Sequence, residues 1–223
     1  MKRLFFPLLV LLLAGCGGAS ISQLASQRAG QSVAVVSVSV NDFGGSLQGW
    51  NKTSTSDLMS SNAAQMVHMA ETELGRHWQV VPAPQFVGQP GYQELAGAHF
   101  EVAVPRIEGT VMPVFAETRK ELIRASMPPG KAQQLARGIG VDLIAVVYAE
   151  WGVATGGFVP TSKALSKNVL SIYDASGQRV YHGRKDTRGN KTLGAFGHVV
   201  VDENSIGEWV GAYQEGLAIL AGS

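Results

Sequence analysis

The side chains able to do chemistry are scattered along this 223-residue chain rather than gathered into a motif. Five histidines stand at 68, 77, 99, 182 and 198. No two have the spacing by which one helix or turn holds a metal, so a site would need ligands from distant segments, and neither metal nor cofactor is expected. The carboxylates are dispersed likewise, which leaves no pair to name as acid and base. There is no Gly-x-Ser-x-Gly turn and no His-Glu-x-x-His helix. Asp174-Ala175-Ser176-Gly177 superficially resembles the setting of a nucleophile, but these are also the residue types of a tight turn. A strand, a glycine-rich loop and then Lys52-Thr53 invite comparison with a phosphate-binding loop. Trp50, six residues after Gly44, occupies the place where that motif needs lysine, and Lys52 is not preceded by glycine. No catalytic residue is therefore assigned, and the chain is not expected to be an enzyme. A ligand binder or hydrolase with a site assembled from dispersed loops stays as an alternative.

Two groups of residues suggest contact instead of catalysis. Trp50, Trp151 and Phe158 lie in or beside glycine-bearing loops. Exposed together they would offer a protein or a glycan a large rigid surface; folded back they would belong to the core. Arg184, Lys185, Arg188 and Lys191 would suit an anionic partner or lipid head groups, or simply line a solvated loop.

The elements that must position these residues follow from periodicity. Residues 33–40 alternate Val36, Val38 and Val40 against Ser37 and Ser39, which predicts a strand. Met59, Ala63, Met66, Ala70 and Leu74 recur at helical spacing over 56–76, with His68 off the stripe. Short strands are expected at 78–81 and 100–104, a short helix at 92–96, and a helix opening at Pro113. Residues 131–140 predict a helix ending at Gly138 or Gly140. The nearly continuous apolar run 141–149 predicts a central strand buried on both faces. Residues 151–163 read as a loop, followed by two strands turning through Ser176-Gly177. The last element is a helix with Ile206, Trp209, Val210, Tyr213, Leu217 and Leu220 on one stripe; Ser205 and Glu208 have capping-box spacing, and Gly207 and Gly211 would permit tight packing on the sheet. The order predicts an α/β sandwich of helices against a mixed, mostly central β-sheet, one domain over 33–223.

The N-terminus has a different character. Lys2 and Arg3 precede an apolar run from Leu4 to Leu12, which is shorter than the ~20 residues a spanning helix needs. Leu13-Ala14-Gly15 then leads to Cys16, the one cysteine of the chain. This Leu-Ala-Gly-Cys resembles the lipobox of bacterial lipoproteins. The resemblance implies that residues 1–15 are a signal peptide, that Leu13, Ala14 and Gly15 are read by the signal peptidase, and that Cys16 becomes a lipidated N-terminus. It implies a diacylglyceryl group and an N-acyl chain; since each buried methylene is worth roughly 0.8 kcal/mol, more than one chain anchors stably. Gly17 stands where an inner-membrane retention signal would place Asp, so the outer membrane is the expected address, with the domain facing the periplasm. Residues 16–32 are small and polar, and as a flexible coil would hold the domain on the order of 20–24 Å from the lipid.

Of the 18 lysines and arginines, Lys2 and Arg3 leave with the signal peptide, against 17 acidic residues, so the mature chain is close to neutral and no nucleic-acid partner is expected. Once Cys16 carries lipid, no thiol is left for a disulfide or a metal.

Gly140-Val141-Asp142, the apolar strand LIAVVYAEWGV, and Leu170-Ser-Ile-Tyr-Asp174 turning through Ser176-Gly177 into Gln178-Arg-Val-Tyr181 are similar to the envelope lipoproteins of the CsgG, LpoB and TolB-N-terminal-domain type. That resemblance implies an α/β sandwich and no catalytic residue. It leads to a first expectation, a non-enzymatic envelope component binding another envelope protein. A second is an oligomeric CsgG-like secretion pore, for which residues 99–115 and 144–173 are the candidate membrane hairpins.

Overall fold

The computed structural model describes residues 20–42, 55–196 and 198–222. Helix α1 (Ile21–Gln27) leads into strand β1 (Ser32–Asp42), and helix α2 (Thr55–Leu74) into the short strand β2 (Gln79–Val80). A one-turn helix α3 (Pro90–Gln93), a small hairpin of β3 (Arg106–Ile107) and β4 (Thr110–Val111), and helices α4 (Arg119–Leu122) and α5 (Pro129–Ile139) follow. Then come three long strands, β5 (Leu143–Gly156), β6 (Thr161–Asp174) and β7 (Arg179–Arg188). A minor hairpin of β8 (Gly194–Ala195) and β9 (His198–Val199) precedes the last helix, α6 (Gly207–Gly222).

The main sheet runs β2-β1-β5-β6, and β6 is flanked on its far side by β7 along one half and by β8 and β9 at the other end. Pairing is parallel for β2-β1 and β1-β5, from Val33↔Leu143 to Asp42↔Trp151. It is antiparallel for β5-β6, from Leu143↔Asp174 out to Gly156↔Thr161, and for β6-β7. The sheet is therefore mixed, as expected, and β5 at its centre is buried from Leu143 to Ala149.

Side-chain alternation divides the two layers. Leu170 pairs with Gly183, where an added Cβ would meet Leu220, so this face receives α6. Ser171 points the other way and donates to the Arg124 carbonyl, while the Tyr173 hydroxyl accepts from Met127 N–H. On β1, Ser37 donates to the Pro113 carbonyl, and because the register shifts at Val36 the residues paired on the opposite face, against the α2 layer, are Val35 and Val38. The predicted stripe of α2 (Met59, Ala63, Met66, Ala70 and Leu74) is wholly buried, and His68 is exposed. Tyr213 joins the two helices by donating to Met66 O, and burial pushes its hydroxyl pKa far up. Helix α5 ends on Gly140, whose φ of 79° is a left-handed conformation that costs glycine little.

Several local expectations are corrected. Residues 100–104 form no strand; Ala103 makes one isolated antiparallel bridge to Val40, at the edge where β2 has already ended. No helix opens at Pro113; its carbonyl is the acceptor for Ser37, and the helix begins only at Arg119, where Thr118 and Glu121 form a reciprocal cap. Ser205 and Glu208 do not form their capping box, because Glu208 instead accepts from Lys191 N–H, while Asp202 accepts from Asn204 and Ser205 N–H. An added Cβ at Gly207 or Gly211 would meet nothing within 4 Å; the glycine of close approach on α6 is Gly216, against Asn168 and Thr187. The stretch expected as a coil over 16–32 carries α1, whose Ser20 and Gln23 form a capping box and whose Ile21 and Leu24 are buried. The largest difference is at 151–163. Its glycines suggest a loop, but both strands continue through it, since Gly152 lies under Trp209 and accepts its indole N–H at 2.7 Å.

Candidate interaction site

The extended β5-β6 hairpin projects an apolar end. Gly157, with φ 101°, makes the reversal and leaves Phe158 and Val159 at the tip, 107% and 60% exposed. Just inside it, Thr155 and Ser162 hydroxyls bond at 3.2 Å, and Thr161 donates to Gly156 O. The β8-β9 hairpin is fastened alongside: Leu193 N–H donates to Ser162 O at 2.8 Å and Phe196 N–H to Pro160 O at 2.7 Å. The two strands approach closely enough that a Cβ on Gly194 would lie 1.8 Å from His198 O. This brings Phe196 and Val200, 70% and 53% exposed, to the same end as Phe158 and Val159. Four large apolar residues are thus exposed at one end of a paired scaffold, a concentration of the kind that marks an interaction surface.

Next to this end runs the outer strand. Between Arg179 and Lys191 stand Arg179, Arg184, Lys185, Arg188 and Lys191, with Asp186 the acidic residue among them. Asp186 accepts two bonds from Arg184 at 2.9 Å, and this pairing holds its carboxyl below the usual range. Lys191 approaches Glu208 at 3.5 Å. The strand is thus basic along its length, and such charge also discourages edge-to-edge sheet growth.

At the other end of the sheet, Arg28 Nη2 reaches Asp174 Oδ2 at 3.2 Å. Asp174 also accepts from Ser176 N–H, Ser176 Oγ and Gln178 N–H, which makes the turn that the sequence assigns to these residues. Burial raises its carboxyl pKa, but the bonds from Ser176, Gln178 and Arg28 outweigh it and the net direction is downward.

Other constellations are closed. Ser171 Oγ lies 3.0 Å from His182 Nδ1, a spacing that suits a nucleophile and base. Ser171 is fully buried and also donates to Arg124 O, so no substrate reaches it. Burial, with Arg179 and Arg124 nearby, pushes the His182 pKa down. A cleft of about 320 Å³ between α3 and α5 is floored by Tyr92, Leu95, Leu135 and Ile139, with Gln89 and Glu94 at its rim. The Tyr92 hydroxyl is turned inward, donating to Val36 O at 2.6 Å. Among the described residues no three His, Cys, Asp or Glu side chains are gathered for a metal, and no helix is long and apolar enough to cross a membrane.

The three aromatic residues named from sequence do not share a surface. Trp151 is fully buried, facing the α6 layer opposite Ser166, which corrects its expected role in partner contact. Phe158 is exposed as the contact reading requires. Trp50, the glycine-rich loop before α2, and Leu13, Ala14, Gly15 and Cys16 lie outside the described residues. Phe196, Val159 and Val200 were not singled out by sequence; the signal was Phe196 standing among glycines in sequence, as Phe158 does.

The candidate membrane-spanning hairpins are short where they leave the packed sheet. Residues 99–115 hold only the two-residue strands β3 and β4. On β6, Ser162, Ala164, Ser166 and Asn168 are buried, so little more than the Thr155–Thr161 tip stands free, far less than the ~9–11 residues per strand needed to span a bilayer.

Helices on both faces of a mixed sheet define an α/β fold. No protein-family model matches the chain, and no curated protein matches it. Among solved structures, the chain is similar to lipoprotein GNA1162 from Neisseria meningitidis, at 14% identity over 86% of this chain and 99% of that one, with a TM-score of 0.36. It is also similar to the C-terminal domain of LpoB from Salmonella enterica, at 13% identity over 75% and 94%, with a TM-score of 0.35. A third is the hypothetical protein CT253 from Chlamydia trachomatis, at 12% identity over 86% and 99%, with a TM-score of 0.37.

Proposed function

We propose that this is a lipid-anchored protein of the bacterial cell envelope that acts by contact, as a non-enzymatic binding or assembly component of an envelope complex. Residues 1–15 serve as the signal peptide, Leu13, Ala14 and Gly15 precede the cleavage, and lipid on Cys16 holds the mature chain at the outer membrane, facing the periplasm. The observation that supports action by contact is the apolar end of the hairpins, where Phe158, Val159, Phe196 and Val200 stand in solvent on a scaffold whose other large apolar residues are mostly buried. A side chain as large as phenylalanine, fully exposed, gains ~1.5–3 kcal/mol when a partner removes it from water.

In-cell photo-crosslinking tests this. A photoreactive residue at position 158 is expected to give a discrete envelope adduct, protein or lipid, which fades when Phe196 and Val159 are replaced by serine. Absence of any adduct from a folded, membrane-bound protein would contradict action through this end. In the same cells Cys16→Ser is expected to abolish fatty-acid labelling and leave the precursor uncleaved; normal maturation would contradict the anchor.

A further inference from the structure

We propose that the β7-β8-β9 edge lies along an anionic lipid bilayer, with Phe158, Val159, Phe196 and Val200 dipping into the head-group region as a second point of attachment. This rests on the reading of Cys16 as the lipid anchor. Three independent observations lead to it.

The first is the length of chain between anchor and fold. Only Gly17, Gly18 and Ala19 separate Cys16 from Ser20, the capping residue of α1, so Cys16 lies within ~14 Å of Ser20 whatever path the chain takes. Helix α1 packs against α6 and β7, on the outer-strand side of the sheet. The lipid is therefore tethered at the β7 end of the edge that β7, β8 and β9 form.

The second is charge. Along that edge run Arg179, Arg184, Lys185, Arg188 and Lys191, opposed by Asp186 on Arg184, by Glu208 on Lys191, and by Asp202 and Glu203 just after Val200. The excess is positive and matches anionic head groups, toward which a basic residue near the surface contributes roughly fivefold in affinity.

The third is the apolar end itself, which β8 and β9 place at the far end of the same edge. From Asp174 to Thr161 a strand rising ~3.3 Å per residue extends about 43 Å. From Arg28, beside Asp174, α1 and the three-residue link reach at most ~26 Å toward the lipid. Anchor and apolar end are thus two separated points, and one bilayer meeting both lays the edge along its surface. The free tip, ~10 Å deep, matches the depth of interfacial insertion.

The test uses the lipidated full chain carrying Val159→Cys, labelled with an environment-sensitive fluorophore, the lipid on Cys16 leaving the new thiol as the reactive one. In vesicles of phosphatidylcholine and phosphatidylglycerol, nitroxide-bearing lipids are expected to quench this label and its emission to shift to the blue. A label at Gln134→Cys, on α5, is expected to stay water-exposed. Arg184→Glu with Arg188→Glu is expected to lower the inserted-to-free ratio by at least fivefold, as is omission of phosphatidylglycerol. Protein carried on the vesicles with an unquenched label at 159 overturns the proposal and leaves the anchor standing. Protein that does not float with the vesicles at all contradicts both. A label quenched equally in neutral vesicles and in the charge-reversed variant overturns the role of the basic edge.

Discussion

Arg28 Nη2 sits 3.2 Å from Asp174 Oδ2, which ties the residue after the N-terminal helix to the end of the longest hairpin in the fold. Asp174 does more than meet Arg28, since it also organises the turn through Ser176 and Gln178. Asp174→Ala is therefore expected to cost about 1–3 kcal/mol and Arg28→Ala, partly exposed, at most about 1 kcal/mol. Chemical denaturation of the two variants checks the order; an equal loss would contradict it.

The same carboxylate gives a pH dependence with a definite sign. Its folded pKa is depressed below the ordinary 3.8, so its contribution is present above that value and is lost as pH falls through the lower folded pKa. Asp174→Asn is expected to flatten that part of the acid-unfolding curve. His182 acts in a higher window: its folded pKa lies below the ordinary 6.5, the partly covered ring beside Arg179 and Arg124 resists protonation, and stability falls as pH drops from 6.5 toward the folded value. In His182→Asn that slope is expected to disappear, which melting temperatures across the range would reveal.

Gly216 and Gly211 on α6 make opposite predictions. A Cβ at Gly216 would fall 2.0 Å from Asn168 Nδ2 and 2.5 Å from Thr187 Oγ1, inside a buried polar cluster. Gly216→Ala is expected to destabilise by about 1–3 kcal/mol. At Gly211 nothing lies within 4 Å of an added Cβ and the position is exposed, so Gly211→Ala is expected to stabilise the helix by about 0.5–1 kcal/mol. Urea denaturation measures both.

Removal of the indole donor tests the corrected strand region. Trp209→Phe leaves Gly152 O without its 2.7 Å bond, and a loss of about 1–3 kcal/mol is expected with little change of fold by circular dichroism.

Periodicity made much of this fold legible. The stripes of α2 and α6, the buried β5 and the turn at Ser176-Gly177 all lie where spacing predicts them, because each buries a face whose pattern is local. The region 151–163 was not legible, since Gly152 and Gly156 carry turn chemistry whereas Trp209 and the pairing with β6, both distant in sequence, keep it extended. The helix at Ile21–Gln27 was hidden for a similar reason: two apolar residues, Ile21 and Leu24, suffice once α6 and β7 are there to cover them. Of the candidate site, Phe158 was readable from its glycine neighbours, while Phe196 joins it through hydrogen bonds between hairpins that sequence spacing does not record. Trp151 read as a loop aromatic for the same reason its strand read as a loop.

Attachment to the membrane depends on what Cys16 carries. Mass spectrometry of the N-terminal peptide of the protein isolated from membranes tests this most directly. The predicted result is a chain beginning at Cys16, with a diacylglyceryl group on sulfur and an acyl chain on the α-amino group. A mature chain that begins elsewhere, or an unmodified Cys16 within it, would contradict the account.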